Sequence, residues 1–251
     1  MCTPSPNARP TKRRNARSRQ PCAQPATPSR RLVGDPELTV IEDGDVRIVK
    51  IGPMGPYNNN AYIVRSLGSG DSLLVDMPLE EAPLLAAIAA EGGVRTIVAT
   101  HWHQDHWLTY DAVRRATGAP VLVGSREVNI PEERIDGRLD DGAELRVGAA
   151  RVTVMHTPGH TVGSISLRIG PAVITGDTLF DGGPGKTFAG GDLETILQSI
   201  NARLLPMPDA TAVLPGHGAN TTIGASRRGY AEYGGHPKPA GYFGDVEWSR
   251  P

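Results

Sequence analysis

The sequence predicts an α/β protein in which strands dominate and helices are interspersed. Two observations carry that expectation. Apolar runs of strand length recur between turns rich in Gly, Pro and Asn, and a few longer stretches carry helix start and stop signals. The 251-residue chain can bury a sizeable core, and its 30 glycines and 22 prolines supply the turns that many short elements need.

Residues 46–51, 61–66 and 72–76 read as strands. Residues 79–90 read as a helix, with Glu80 and Glu81 early, Pro83 in the first turn and Gly92-Gly93 as the stop. A strand at 95–100, a helix at 107–117 closed by Gly118, and a strand at 120–124 follow. Further strands are expected at 144–147, 151–155, 164–169 and 172–175, the last two joined by Gly170-Pro171. A helix at 193–204, a strand at 211–214 and a helix at 226–233 complete the series. Sheets and helices in this proportion are expected to pack as two sheets between helices.

The formal net charge of −1 conceals an asymmetry. Residues 1–34 contain seven Arg, one Lys and no acid, so they carry +8 and the remainder −9. An acidic body offers no basic stripe for nucleic acid, and such binding would fall to the tail. That tail has no apolar periodicity and reads as disordered, which leaves residues 35–251 as one folded domain. No stretch approaches the roughly 20 apolar residues that span a bilayer. Cys2 and Cys22 both lie in the tail, so disulfides, thiol nucleophiles and thiolate ligands are excluded from the body. A cysteine-free body suits the cytoplasm, while the Arg-rich, acid-free leader leaves organelle targeting open. Nothing in the sequence speaks to oligomeric state.

Five of seven histidines fall in three short places. The first is His101-Trp102-His103-Gln104-Asp105-His106, directly after a predicted strand. In extended chain, residues two apart point the same way, so His101 and His103 can bind one ion together. Asp105 and His106 come where the chain turns into a helix and can face a second ion. The second place is Thr157-Pro158-Gly159-His160-Thr161, and the third is Pro215-Gly216-His217-Gly218. Between them, Gly176-Asp177-Thr178 follows another strand. Ligand-type residues gathered at strand ends, with Gly or Pro beside them, are what a metal site on a rigid scaffold requires. His156 reads as a hydrogen-bonded loop histidine, His236 as solvated.

The ordered set HxHxDH, TPGHT, GDT and PGHG resembles the metallo-β-lactamase-fold superfamily over roughly residues 38–233, and within it the glyoxalase II-type hydrolases. The resemblance implies an αββα sandwich of two mixed β-sheets flanked by helices. It also implies that His101, His103 and His160 bind a first metal, that Asp105, His106 and His217 bind a second, and that Asp177 bridges both. Two divalent ions, zinc or else iron or manganese, suit these ligands. A water between them would become a hydroxide that attacks the carbonyl of a thioester, ester or lactone. Asp105 would orient that water.

Asp76 could orient a ligating histidine or merely cap its strand. In the loop Tyr57-Asn58-Asn59-Asn60, Asn59 is a candidate substrate contact beside a turn role. Lys186, in Gly182-Gly183-Pro184-Gly185-Lys186-Thr187-Phe188, resembles the basic residue that meets a glutathione carboxylate in glyoxalase II, although Pro184 stands where that loop has Cys. Only 34 residues follow His217, too few for the helical domain that helps glyoxalase II grip glutathione. Trp102 and Trp107 read as packing residues. Two other readings remain. One is a persulfide dioxygenase holding one iron through His101, His160 and Asp177, and the other is a non-catalytic binding module.

Overall fold

Residues that alternate along the strands divide between two apolar layers, and this division builds the architecture. The computed structural model describes residues 38–235 and 237–248. In it, Leu73 and Val75 face one way from their strand while Leu74 faces the other, as a period of two requires.

The first sheet has seven strands in chain order: β1 (Leu38–Asp43), β2 (Val46–Met54), β3 (Asn59–Ser66), β4 (Ser72–Val75), β5 (Thr96–Ala99), β6 (Val121–Gly124) and β7 (Gly137–Leu139). β1 to β4 pair antiparallel and β4 to β7 parallel, so the sheet is mixed. The second sheet comprises β8 (Glu144–Val147), β9 (Ala150–His156), β10 (Ile165–Ile169), β11 (Ala172–Gly176), β14 (Ala212–Pro215) and β15 (Thr221–Thr222). Its β11–β14 pair is parallel and the rest antiparallel. β12 (Leu179–Phe180) and β13 (Gly183–Pro184) form a small separate hairpin.

Three apolar clusters give the layers their order. Ile48, Tyr62, Val75 and Val98 of the first sheet meet Val154, Leu167, Ile174 and Leu214 of the second. On the outer face of the first sheet, Ile63, Leu74 and Ile97 pack on Leu84 and Ile88 of α1 (Glu81–Ala90) and Val113 of α2 (Tyr110–Thr117). On the outer face of the second, Val173 and Val213 pack on Leu193 and Ile196 of α3 (Asp192–Ser199) and Ile223 of α4 (Ile223–Tyr233). The result is the expected αββα sandwich. Among the described residues, no helix is long and apolar enough to cross a membrane.

Several boundaries differ from expectation for local reasons. The helix expected from residue 79 begins at Glu81, because Glu80 is left-handed with φ of 80°. The helix expected at 107–117 starts only at Tyr110, as α2, and a separate 3-10 turn, Gln104–His106, precedes it. The helix expected at 193–204 changes pitch, since Ile200–Leu204 is a π turn in which the Leu205 amide reaches back to Ile200 at 2.9 Å. β1 and β7, unforeseen, lie at the edges of their sheet. The basic tail, Cys2, Cys22 and His236 lie outside the described residues.

Candidate metal centre

Strand ends from both sheets deliver the seven predicted ligands to one edge of the sandwich. His101 lies just past β5, His160 in the loop after β9, Asp177 directly after β11 and His217 after β14. The 3-10 turn folds the first motif back on itself: the His106 amide donates to the His103 carbonyl at 3.0 Å and the Trp107 amide to Gln104 at 2.9 Å. Trp107, buried in the core, pins this turn by donating its Nε1–H to the His101 carbonyl at 2.8 Å. At Gly216 a side chain has no room, because a Cβ would collide with Asp177 Oδ1 and lie 2.9 Å from His106 Cε1. Glycine there lets the His217 loop close over the site.

The ligand atoms form three overlapping groups, each within 4.8 Å: His101, His103 and His160; His101, His106 and Asp177; Asp105, His106 and His217. Asp177 touches both ends. Its Oδ2 is 3.4 Å from His160 Nε2 and 3.1 Å from His217 Nε2, and its Oδ1 is 3.4 Å from His106 Nε2. All seven residues are therefore gathered in one place, with Asp177 in reach of His106, His160 and His217.

The donor set fits metal ions. His101 Nε2 and Asp177 Oδ1 are buried and have no hydrogen-bond partner, and an orphaned buried polar atom costs about 1–3 kcal/mol. Imidazole nitrogens also face one another, His103 Nδ1 with His160 Nε2 at 2.8 Å and His106 Nε2 with His217 Nε2 at 3.2 Å. The opposite nitrogens are occupied. His160 Nδ1 lies 2.7 Å from the Lys186 carbonyl and His217 Nδ1 2.8 Å from that of Tyr57. Each such bond fixes Nδ1 as the protonated atom and leaves the Nε2 lone pair for a cation.

Asp76 does the same for two more ligands. Its Oδ2 accepts from His106 Nδ1 at 2.9 Å and from the Thr100 hydroxyl at 2.9 Å, and that hydroxyl lies 3.1 Å from His101 Nδ1. Its Oδ1 accepts from the Thr100 amide at 2.8 Å. Asp76 thus orients histidines as well as ending its strand. Asp76→Ala is expected to weaken metal affinity roughly 10- to 100-fold by freeing both rings, measured by chelator competition.

Charge at the site is prepared for cations. Burial, reinforced by His160, lowers the His103 pKa to about 4. Burial and the neighbouring His106 push His101 well below its ordinary value. Burial opposes ionisation of Asp177, but His106 and His101 hold its carboxyl well below the usual carboxylate range. His106 moves the other way, since Asp177 and Asp76 outweigh burial and raise it. A bound cation would displace that proton.

The site opens into a cleft of about 910 Å³. Tyr57, Leu108, Phe180 and Phe188 give it apolar walls, and Asp181, Lys186 and Asp245 line it as well. Lys186 is the predicted basic residue, and its Nζ stands 3.6 Å from Asp245 with both side chains largely exposed. Asn59 is placed differently from a substrate contact. It is 1 % exposed, does not line the cleft, and donates its amide to Asp105 Oδ2 at 2.9 Å. It positions a site carboxylate instead. His156 is hydrogen-bonded as expected, to the Val162 carbonyl at 2.9 Å. Trp107 is packed as expected, whereas Trp102 is half-buried and stacks edge-on against His103, ring centroids 4.5 Å apart.

Sequence reasoning missed the clamp on the His217 loop. Tyr62 donates its hydroxyl to the Pro215 carbonyl at 2.6 Å, Asn60 donates to Pro215 at 2.9 Å, and Lys50 donates to Gly218 at 2.6 Å. These residues lie over 150 positions from the loop they hold, so no local pattern announces them. The cleft residues Asp245 and Val246 were also missed, since they follow α4 and only the fold brings them to the cleft.

Comparison with known proteins agrees with this geometry. A family profile described as the metallo-beta-lactamase superfamily matches residues 54–217, which span every proposed ligand. The Bacillus subtilis protein named "Probable metallo-hydrolase YqgX" is 34% identical over 193 residues, covering 68% of this chain and 90% of that one. A hydroxyacylglutathione hydrolase of Cereibacter sphaeroides is 35% identical over 164 residues, covering 64% of this chain and 62% of its own. The crystal structure of TTHA1623 in a di-iron-bound form superposes with a TM-score of 0.61 at 30% identity, covering 70% of this chain and 95% of that one. A sandwich with its ligands at one edge, a profile match across all of them and relatives of this similarity lead to one conclusion: the chain belongs to the metallo-beta-lactamase superfamily, a superfamily of metallo-hydrolases.

Proposed function

We propose that this protein is a binuclear metal-dependent hydrolase of thioester, ester or lactone bonds. The observation that carries the reading is Asp177, whose two oxygens reach ligands of both groups while Oδ1 and His101 Nε2 lack any other partner. His101, His103 and His160 would hold one divalent ion, Asp105, His106 and His217 the other, with Asp177 shared. Ions bound there would acidify a water and polarise the substrate carbonyl.

The chain's own residues supply the rest. Asp105 is held by Asn59 at one oxygen and is partly exposed to the cleft. It would also orient the attacking water. Tyr57, Leu108 and Phe188 seat the apolar part of the acyl group. Lys186, at the rim, attracts an anionic substrate end. Its ion pair with Asp245 is exposed, and such pairs contribute at most about 1 kcal/mol, so it does not withhold the ammonium from a ligand. Lys186→Ala is expected to raise KM about fivefold on anionic thioesters, within that same energy, and to leave neutral ones unchanged. Steady-state kinetics on a matched pair of substrates checks this. The hydroxyacylglutathione hydrolase relative supports a thioester as the substrate class.

Elemental analysis of protein purified without added metal, run beside a thioester and lactone hydrolysis screen, tests the function. Two metal equivalents with hydrolysis are expected. One iron, with oxygen uptake on a persulfide and no hydrolysis, would overturn the reading in favour of a dioxygenase.

A further inference from the structure

Glu127 is a carboxylate that the chemistry above does not use, yet it is 2 % exposed. It stands in the turn after β6, and burial pushes its pKa up, partly offset by the donors around it. Those donors come from both loops that carry the three-histidine group. Oε2 accepts from the Thr161 hydroxyl at 2.6 Å, in the residue after His160. The Trp102 backbone amide, between His101 and His103, also favours the ionised carboxylate. Oε1 accepts from the Val128 amide at 3.0 Å.

The bonding around Thr161 runs in one direction. A carboxylate only accepts, so Thr161 donates to Glu127 and its oxygen takes the Ser164 hydroxyl hydrogen at 2.7 Å. The Thr161 amide donates to Ser164 Oγ at 3.1 Å, which closes the loop on itself. Backbone contact fixes the same junction. A Cβ at Gly163 would collide with the Glu127 backbone, so the His160 loop lies directly on the Glu127 turn. Arg138 holds that turn from behind, donating to the Glu127 carbonyl at 2.8 Å.

His101 and His103 hang from the first sheet and His160 from the second. Their mutual placement therefore depends on what ties the two sheets together at this edge. We propose that Glu127 is a positioning residue that braces the Trp102 and Thr161 loops and thereby sets the geometry of the His101, His103 and His160 group for its metal ion. The inference rests on the metal-centre reading above.

The test uses the full chain, freed of metal and titrated with cobalt(II) against a chromophoric chelator, with the cobalt absorption spectrum recorded at each step. Glu127→Gln keeps the shape but turns one accepting oxygen into a donor. It is expected to weaken one of two cobalt equivalents roughly 10- to 100-fold, the range for partners that orient ligands, and to alter that equivalent's spectrum while leaving the other unchanged. Thr161→Val, which removes only the hydroxyl, should weaken the same equivalent. Melting temperatures of the metal-free proteins separate this from a folding defect. A variant that melts lower but binds both equivalents as the parent does would overturn the inference, as would equal weakening of both. If the parent chain takes up no cobalt at these histidines, the metal-centre reading itself fails, and this inference with it.

Discussion

Asp177→Ala is expected to lower the rate of hydrolysis about a thousandfold and to reduce the bound metal below two equivalents. Among the described residues, Asp177 is the one carboxylate in contact with candidate ligands of both groups. Without it the paired cations would repel one another unscreened, and charge stabilisation of several kcal/mol would be lost. Each 1.36 kcal/mol amounts to tenfold in rate, so roughly 4 kcal/mol gives the thousandfold. Metal analysis beside turnover on the same preparation checks both halves. Full activity with both ions in place would refute the bridging role. The small side chain leaves the Gly216 approach open, so the fold itself should survive the change.

Withdrawal of metal is expected to have the largest effect on stability. The candidate ligands come from loops after β5, β9, β11 and β14, so ions bound to them would hold the two sheets together at one edge. Ions that bind only the folded chain stabilise it by RT ln(1 + [L]/Kd), about 4 kcal/mol at a thousandfold excess over Kd. For a domain of this size each kcal/mol moves Tm by about 2–4 °C, so a strong chelator should lower Tm by about 8–16 °C. Calorimetry before and after chelation, with zinc added back, measures it. The ligand set also explains the sign. Burial keeps His101 and His103 neutral, the carboxylate of Asp177 stays ionised, and His101 Nε2 and Asp177 Oδ1 have no hydrogen-bond partner that a cation would have to displace.

Much of this protein could be read in the sequence because its signals are local. Turn residues and apolar alternation located most of the strands, since a period of two in the chain becomes two faces in the sheet. The ligand motifs were visible because HxHxDH packs four donors into six residues. Other features escaped. The π turn at Ile200–Leu204 interrupts a stretch that reads as one helix. Asn59 carries the composition of a turn residue, and only its burial beside Asp105 reveals its task.

By itself the sequence determined the layered α/β architecture and pointed to seven candidate ligands, because strand ends and short motifs are fixed by neighbours in the chain; their expected division into two groups came from the family that those motifs resemble. Only the tertiary structure decided what surrounds them. It placed Asp76 under two histidines, closed Lys50, Asn60 and Tyr62 on the His217 loop, brought Asp245 and Val246 to the cleft and set Glu127 between two ligand loops. The physical reason is that these contacts join residues distant in sequence, and burial makes each hydrogen bond obligatory only after the two sheets have packed.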